Sequence, residues 1–132
     1  MRERALAVHQ PVIQGKLTDV LSMISTSPIG RALAAVLDSI ELELGSVNVR
    51  ISSDLRRATV HLPNRKLATV RVTSAKPQRV GGMPYFRFRT PAHSQRYDRL
   101  YFGGIAGDGR PIVYKFTPSE IGDLQTLTLK CS

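Results

Sequence analysis

A long amphipathic helix is encoded by residues 27–45, which read SPIGRALAAVLDSIELELG. Apolar side chains recur every three or four positions along this stretch, so they would form one continuous stripe on a helix. Ser27 followed by Pro28 is typical of a helix start, because serine can cap the free amides and proline fits the first turn. Gly45 stands where a helix commonly ends. We therefore predict a helix between the proline and the glycine.

A shorter helix is predicted before it, beginning at Lys16, because residues 17–24 repeat the same apolar spacing. Residues 1–15 carry no clear periodicity, and we expect them to form an N-terminal arm. The whole chain has 132 residues, which is enough for one domain with a core but not for two. A single domain is therefore predicted over residues 16–132.

The hydrophobic period changes to two after Gly45, which is the pattern of β-strands with one buried face. Residues 76–84, which include Gly81 and Gly82, are predicted to form a mobile loop. The fold class that follows is α+β, with N-terminal helices packed on a mixed, mainly antiparallel sheet. An oligonucleotide-binding β-barrel is the alternative, and the strong early helix argues against it. Strands are predicted at 47–51, 58–62, 67–73, 85–90, 100–105, 111–116 and 125–130, with a short helical turn at 117–120.

The charge of the chain is strongly positive, with 19 Lys and Arg against 10 Asp and Glu. Residues 50–99 hold twelve of these cations, ten of them arginine, against only Asp54 and Asp98. In Val70-Arg71-Val72 and Phe86-Arg87-Phe88-Arg89 the cations alternate with apolar residues, so a strand would bury one set and expose the other. Arginine binds phosphate oxygens through two parallel hydrogen bonds, which makes such a face suitable for nucleic acid. A solvated basic surface or an acidic protein partner would fit the same charge pattern.

Nucleic acid is therefore the expected partner, with double-stranded DNA favoured. Base readout is expected from residues 76–83. Phe86 and Phe88 are predicted to lie in the core, whereas Tyr85 falls on the other strand face and is available to stack on a base. We predict phosphate contacts from Arg56, Arg57, Arg65, Lys66, Arg71, Lys76, Arg79, Arg87, Arg89, Arg96 and Arg99.

Several other kinds of site are excluded by spacing. His9, His61 and His93 are too far apart to show a metal-ligand pattern, and no phosphate-binding Walker loop or Gly-x-Ser-x-Gly elbow occurs. The single Cys131 has no partner for a disulfide. No apolar run approaches the roughly 18 residues of a membrane span. We expect a cytoplasmic, reduced protein with no membrane partner and no cofactor.

A recognisable order of motifs runs from residue 28 to residue 122. A helix is followed by a hairpin, a loop and an apolar-basic strand, and then come Tyr97-Asp98, Asp108-Gly109, Val113-Tyr114 and Pro118-Ser119. This order resembles the PD-(D/E)XK nuclease family, in particular its small homing-endonuclease and Holliday-junction-resolvase members. The resemblance implies a restriction-endonuclease-like fold.

The resemblance also implies a catalytic motif, and this chain departs from it. The family's metal-binding aspartate falls on Thr59, its Glu/Gln-x-Lys triplet on Arg71-Val72-Thr73, and its helix glutamate near Ala34. None of these side chains can hold a divalent cation as carboxylates do. The expected function is therefore nucleic-acid binding by a nuclease-like fold that lacks a complete active site.

Two alternatives stay open. One is an active Mg²⁺-dependent endonuclease, whose carboxylates would come from a shifted site or from the second subunit of a homodimer. The other is a basic accessory subunit of a nucleoprotein or phage assembly. For the endonuclease, Asp54 is more typical of a turn cap, and two glutamates are more typical of a solvated helix end. The candidates for its catalytic centre are Asp54, Glu41, Glu43, Lys66 and Lys76.

Overall fold

The structure, a computed structural model, describes residues 13–92 and 95–131. These residues form three α-helices and nine strands in two sheets, which confirms the α+β class. None of the helices in this part of the chain is long and apolar enough to span a bilayer. In chain order the elements are β1 (Ile13–Lys16), α1 (Leu17–Ile24), α2 (Pro28–Leu44), β2 (Asn48–Ile51), β3 (Arg57–His61), a 3-10 turn (Pro63–Arg65), β4 (Leu67–Val72), β5 (Gln78–Val80), β6 (Met83–Arg89), β7 (Arg99–Ile105), β8 (Pro111–Phe116), α3 (Pro118–Ile121) and β9 (Thr126–Lys130).

The larger sheet has six strands in the order β1-β2-β3-β4-β7-β8. Its neighbours are antiparallel except β4 and β7, which are parallel. Helices α1 and α2 cover one face of this sheet. Val36 and Ile40 of α2 pack there against inward-facing strand residues such as Val60 and Val70, all fully buried. This helix-covered layer is the main hydrophobic core.

The smaller sheet has three antiparallel strands in the order β5-β6-β9. It packs on the opposite face of the larger sheet, where Phe88 of β6 lies with its ring centroid 4.6 Å from that of Phe102 on β7. Phe86 and Phe88 are both buried, as predicted. Strand β7 therefore packs against a hydrophobic core on each face of the larger sheet. Phe102 belongs to the cluster under the smaller sheet, and the adjacent Tyr101 belongs to the cluster under the helices. On this second face, the polar and charged side chains of β2 and β3, and Arg71 of β4, remain at least partly open to solvent, whereas Thr69 of β4 is buried.

The ends of α2 follow the predicted capping chemistry. The Ser27 side chain accepts a hydrogen bond from the Gly30 amide at 3.1 Å, and Gly45 ends the helix with a φ of 86°. The short α3 is capped at its N-terminal end by a capping box. The Thr117 side chain accepts a hydrogen bond from the Glu120 amide, and the Glu120 side chain accepts one from the Thr117 amide. Local sequence signals therefore determined both helices as expected.

Two segments differ from the sequence predictions. Residues 13–15, assigned to an N-terminal arm, lie in β1 and pair with β2 at the edge of the larger sheet. Residues 1–12 of that arm, and His93, lie outside the described residues. The predicted loop at 76–84 is wrong, because β5 and β6 form a hairpin there. Gly81 and Gly82 have φ of 59° and 85°, and two such residues make a turn whose twist matches the strands.

Candidate nucleic-acid interface

A groove of about 450 Å³ separates the ends of β3 and β4 from the edge of β6. Arg56, Arg57 and Arg71 line the wall formed by the larger sheet, and Arg87 and Arg89 line the wall formed by the smaller sheet. A second depression of about 290 Å³ lies on the face of β2 and β3 and shares lining residues with the first. We call the combined surface the arginine groove, defined by Arg50, Arg56, Arg57, Arg71, Arg87 and Arg89.

Strand alternation accounts for the position of five of these arginines. In β2, β3 and β4 the buried residues point to the helices, so the arginines between them point to the open face. In β6, burial of Phe86 and Phe88 leaves Arg87 and Arg89 exposed. Arg56 comes from the turn between β2 and β3. The apolar core thus forces the cations onto surfaces that meet at the groove.

The electrostatics of the groove are unbalanced. Arg57 and Arg71 are directly opposite each other in the β3–β4 ladder, and like charges in such a pair destabilise a sheet. No acidic residue lines either depression among the described residues. All three ion pairs within residues 13–92 and 95–131 lie elsewhere, so none neutralises the groove. The groove is therefore a concentrated source of positive potential facing solvent.

Arg71 is held in place by its neighbours. Its Nη1 donates to the Val70 carbonyl and its Nη2 to Gln95 Oε1, each at 3.1 Å. Gln95 in turn donates from Nε2 to Thr69 Oγ1 at 3.1 Å. Burial, and next the charge of Arg57, lower the pKa of Arg71, although a guanidinium remains charged at any physiological pH. These bonds use two of the five N–H donors of the side chain and fix the direction of the rest.

The structure separates the other predicted contact residues into distinct regions. Arg65 and Lys66 lie at the β3–β4 turn, at the opposite end of the hairpin from Arg57 and roughly 13 Å away along the strand. Lys76 and Arg79 line a separate groove of about 410 Å³ beside Arg110, whereas Arg96 lines a smaller one of about 210 Å³ near α3. Tyr85 is half-buried, on the outer face of the smaller sheet.

Arg99 belongs to a different network on the helix-covered side. Its Nη1 donates to Glu43 Oε2 at 3.0 Å, and Lys115 Nζ donates to the same oxygen at 3.0 Å. The bonds from Lys115 and Arg99 hold the pKa of Glu43 below its usual value. Arg99 therefore lies in an ion-pair network that ties α2 to β7 and β8, and it does not join the arginine groove.

The catalytic candidates of the endonuclease alternative are dispersed. Asp54 accepts hydrogen bonds from Ser52 Oγ at 2.6 Å and the Arg56 amide at 3.0 Å, as a turn-capping residue does, and both bonds lower its pKa. Glu41 and Glu43 lie in the last turn of α2, while Lys66 and Lys76 belong to separate loops. Among the residues that the structure describes, no three His, Cys, Asp or Glu side chains converge as a metal site.

The positions that the family resemblance singled out meet at the groove, with one exception. Thr59 and Arg71 line the smaller depression, and Thr73 lines the larger one. Ala34 lies in α2, against the core on the far face of the sheet. The side chains of Thr59, Thr73 and Arg71 carry two hydroxyls and a guanidinium. These groups donate hydrogen bonds to an anion and do not replace the carboxylates that would bind a cation.

Sequence reasoning missed two residues of the site. Arg50 was left out of the predicted contacts, although its position between buried Val49 and Ile51 indicates an outward side chain. Gln95 had no sequence signal at all, because it lies in a loop and reaches Arg71 across 24 positions of the chain. Only the packing of that loop against β4 brings the two side chains together.

The arginine groove is chemically suited to an extended polyanion. Arginines from two sheets line one surface, and a guanidinium can donate two parallel hydrogen bonds to a phosphate. Comparison of the chain with protein-family models, with curated proteins and with solved structures found no match in any of the three.

Proposed function

We propose that this protein binds double-stranded DNA through the arginine groove. The observation that carries the proposal is the juxtaposition of six arginines, five from two sheets and one from the β2–β3 turn, with no acidic side chain in the lining. Duplex DNA carries about one charge per 1.7 Å of axis, and neutralising it with arginine releases condensed counterions. Such a ligand relieves the repulsion between Arg57 and Arg71, neither of which is in an ion pair with a described residue.

We also propose that the fold is a restriction-endonuclease-like one used for binding. The support is the order of a helix, a β-hairpin and a parallel pairing of β4 with β7. A further support is that Thr59 and Arg71, on adjacent strands, share the open face. In this proposal the groove occupies the place of a nuclease centre and holds phosphates without a metal.

Binding should depend steeply on salt. We expect the plot of log K against log[salt] to have a slope of about −5 if all six arginines contact phosphates, at about −0.9 per contact. Arg87→Ala should reduce the slope by about one contact, because Arg87 is exposed and lines the groove. Arg110→Ala is the matched control, since Arg110 is bound to Asp108 at 2.6 Å and lies outside the groove. Fluorescence anisotropy with a labelled duplex measures the slope, and a flat response would remove the proposal.

The protein should bind DNA without cutting it. Hydrolysis by a nuclease of this fold needs Mg²⁺ or Mn²⁺ held by convergent carboxylates, and the groove presents arginines that repel the ion. We expect no nicking of plasmid or branched DNA with either metal at concentrations where binding is saturated. Metal-dependent nicking that disappears in Asp54→Asn would establish the endonuclease alternative instead, and nicking that survives this change would indicate a different catalytic site.

A further inference from the structure

The β5–β6 hairpin ends in an exposed apolar pair. Val80 and Met83 are opposite each other in the last register position before the turn, and they are 60% and 40% exposed. Large apolar side chains with this exposure are few among the described residues, and the others are Met23 on α1, Leu42 on α2 and Leu124 in the loop before β9. Water-exposed apolar side chains placed as a pair at the tip of a projecting element are suited to contact with another molecule.

The tip is narrow and its surroundings are basic. Gly81 and Gly82 form the turn, and no atom outside the neighbouring residues lies within 4 Å of a Cβ built on either glycine. Arg79 Nη1 donates to the Gly82 carbonyl at 2.7 Å, which braces the turn. Residues 74–97 contain no acidic side chain. Charge complementarity therefore points to an anionic partner for the tip, and an apolar tip in a basic setting points to a nucleic-acid groove.

The hairpin is continuous with the arginine groove. Met83, Tyr85, Arg87 and Arg89 alternate along one face of β6, with the last two in the groove wall. Six residues separate Met83 from Arg89, which is about 20 Å of extended strand. The major groove of B-DNA is about 12 Å wide and admits a two-stranded β-ribbon. A duplex whose phosphates contact Arg87 and Arg89 would therefore have the hairpin tip within reach of one of its grooves.

We propose that the β5–β6 hairpin is a wedge that enters a groove of the bound duplex and places Val80 and Met83 against an unstacked base step. This inference rests on the proposed DNA binding and adds the class of substrate, which is a duplex with a weakened or distorted step. Proteins that kink DNA from the minor groove insert apolar side chains, methionine among them, between base steps. A mismatch lowers the unstacking cost that the wedge must overcome.

The test compares a short matched duplex with one of the same length that has a single central mismatch. The wild-type protein should bind the mismatched duplex about fivefold more tightly, because part of the unstacking cost is already met. The double variant Val80→Thr, Met83→Thr should lose this preference. Threonine keeps the β-propensity of the hairpin and removes the apolar contact. If the double variant does not unfold cooperatively, the preference for the mismatched duplex is measured on each single variant instead.

Met23→Gln is the control, because Met23 is 61% exposed but lies on α1, on the other face of the larger sheet. This variant should prefer the mismatched duplex as strongly as the wild type does. Equal affinity for both duplexes in the wild type, with a steep salt slope retained, would overturn the wedge and leave the proposed function standing. A mismatch preference that survives the threonine changes would also overturn it. Absence of binding to either duplex would overturn the wedge and the proposed function together.

Discussion

Replacing Arg57 and Arg71 together by alanine should weaken binding to duplex DNA about a hundredfold at moderate salt. Each arginine is expected to contribute about one phosphate contact, and a tenfold change in affinity per contact corresponds to about 1.4 kcal/mol. The effect should be large because Arg71 is already oriented by Gln95 and pays little entropy on binding. Anisotropy titrations of the double variant against wild type measure the loss.

The same change should not destabilise the fold. Arg57 and Arg71 repel each other in the free protein, and removing a directly opposed like-charge pair contributes up to about 1 kcal/mol of stability. We expect the free energy of urea unfolding to stay equal or rise slightly. Arg31→Ala, an exposed change on α2, serves as the control for charge removal. If the double variant loses cooperative unfolding while its folded fraction binds normally, the two arginines are structural and the groove is not the binding site.

Gly30→Ala should be the most destabilising alanine substitution among the ten glycines. Gly30 is buried in the first turn of α2, where an added Cβ would overlap the carbonyl oxygen of Ile24 at the end of α1. That carbonyl cannot move alone, because Ile24 is fully buried in the main core. Relief therefore requires α1 to shift as a whole, and we expect a loss of about 3 kcal/mol in the free energy of unfolding.

Thermal unfolding provides the comparison. The variant should melt roughly 10 °C below the wild type, given the usual relation between stability and melting temperature for a chain of this size. Gly107→Ala is the matched control, because no atom lies within 4 Å of the added Cβ and φ at this position is not positive. Its stability should stay within about 0.5 kcal/mol of wild type. A melting temperature for Gly30→Ala equal to that of the control would contradict the close contact between α1 and α2.

The sequence was most informative where structure is decided locally. The capped helix α2 and the strands β3, β4, β7 and β8 depend on signals within a few residues, and all of them form close to the predicted positions. The hairpin at Gly81 was not predicted, because two consecutive glycines are as typical of a flexible loop as of a tight turn. Strand β6 also pairs with β9, 37 to 45 positions away, and no local signal indicates that contact.

The candidate site shows the same division. Period-two alternation correctly predicted that Arg71, Arg87 and Arg89 lie on the strand face opposite their buried neighbours. It could not tell that a parallel pairing of β4 with β7 would bring the second sheet beside the first. Alternation of apolar and charged residues separates the two faces of one strand. It does not show which sheet the strand joins or what each face packs against. Arg99 was therefore grouped with the others, although its strand position directs it to Glu43 on the helix-covered side.

The chain alternates between the two sheets rather than completing one before starting the next. Strands β1–β4 build the larger sheet, β5 and β6 the smaller, β7 and β8 return to the larger, and β9 returns to the smaller. The chain passes from one sheet to the other after β4, β6 and β8, and a fragment that ends at any of these points lacks strands of at least one sheet. The surface formed where the sheets meet is therefore a property of the whole chain, and no contiguous fragment could be transplanted to another scaffold with both walls intact.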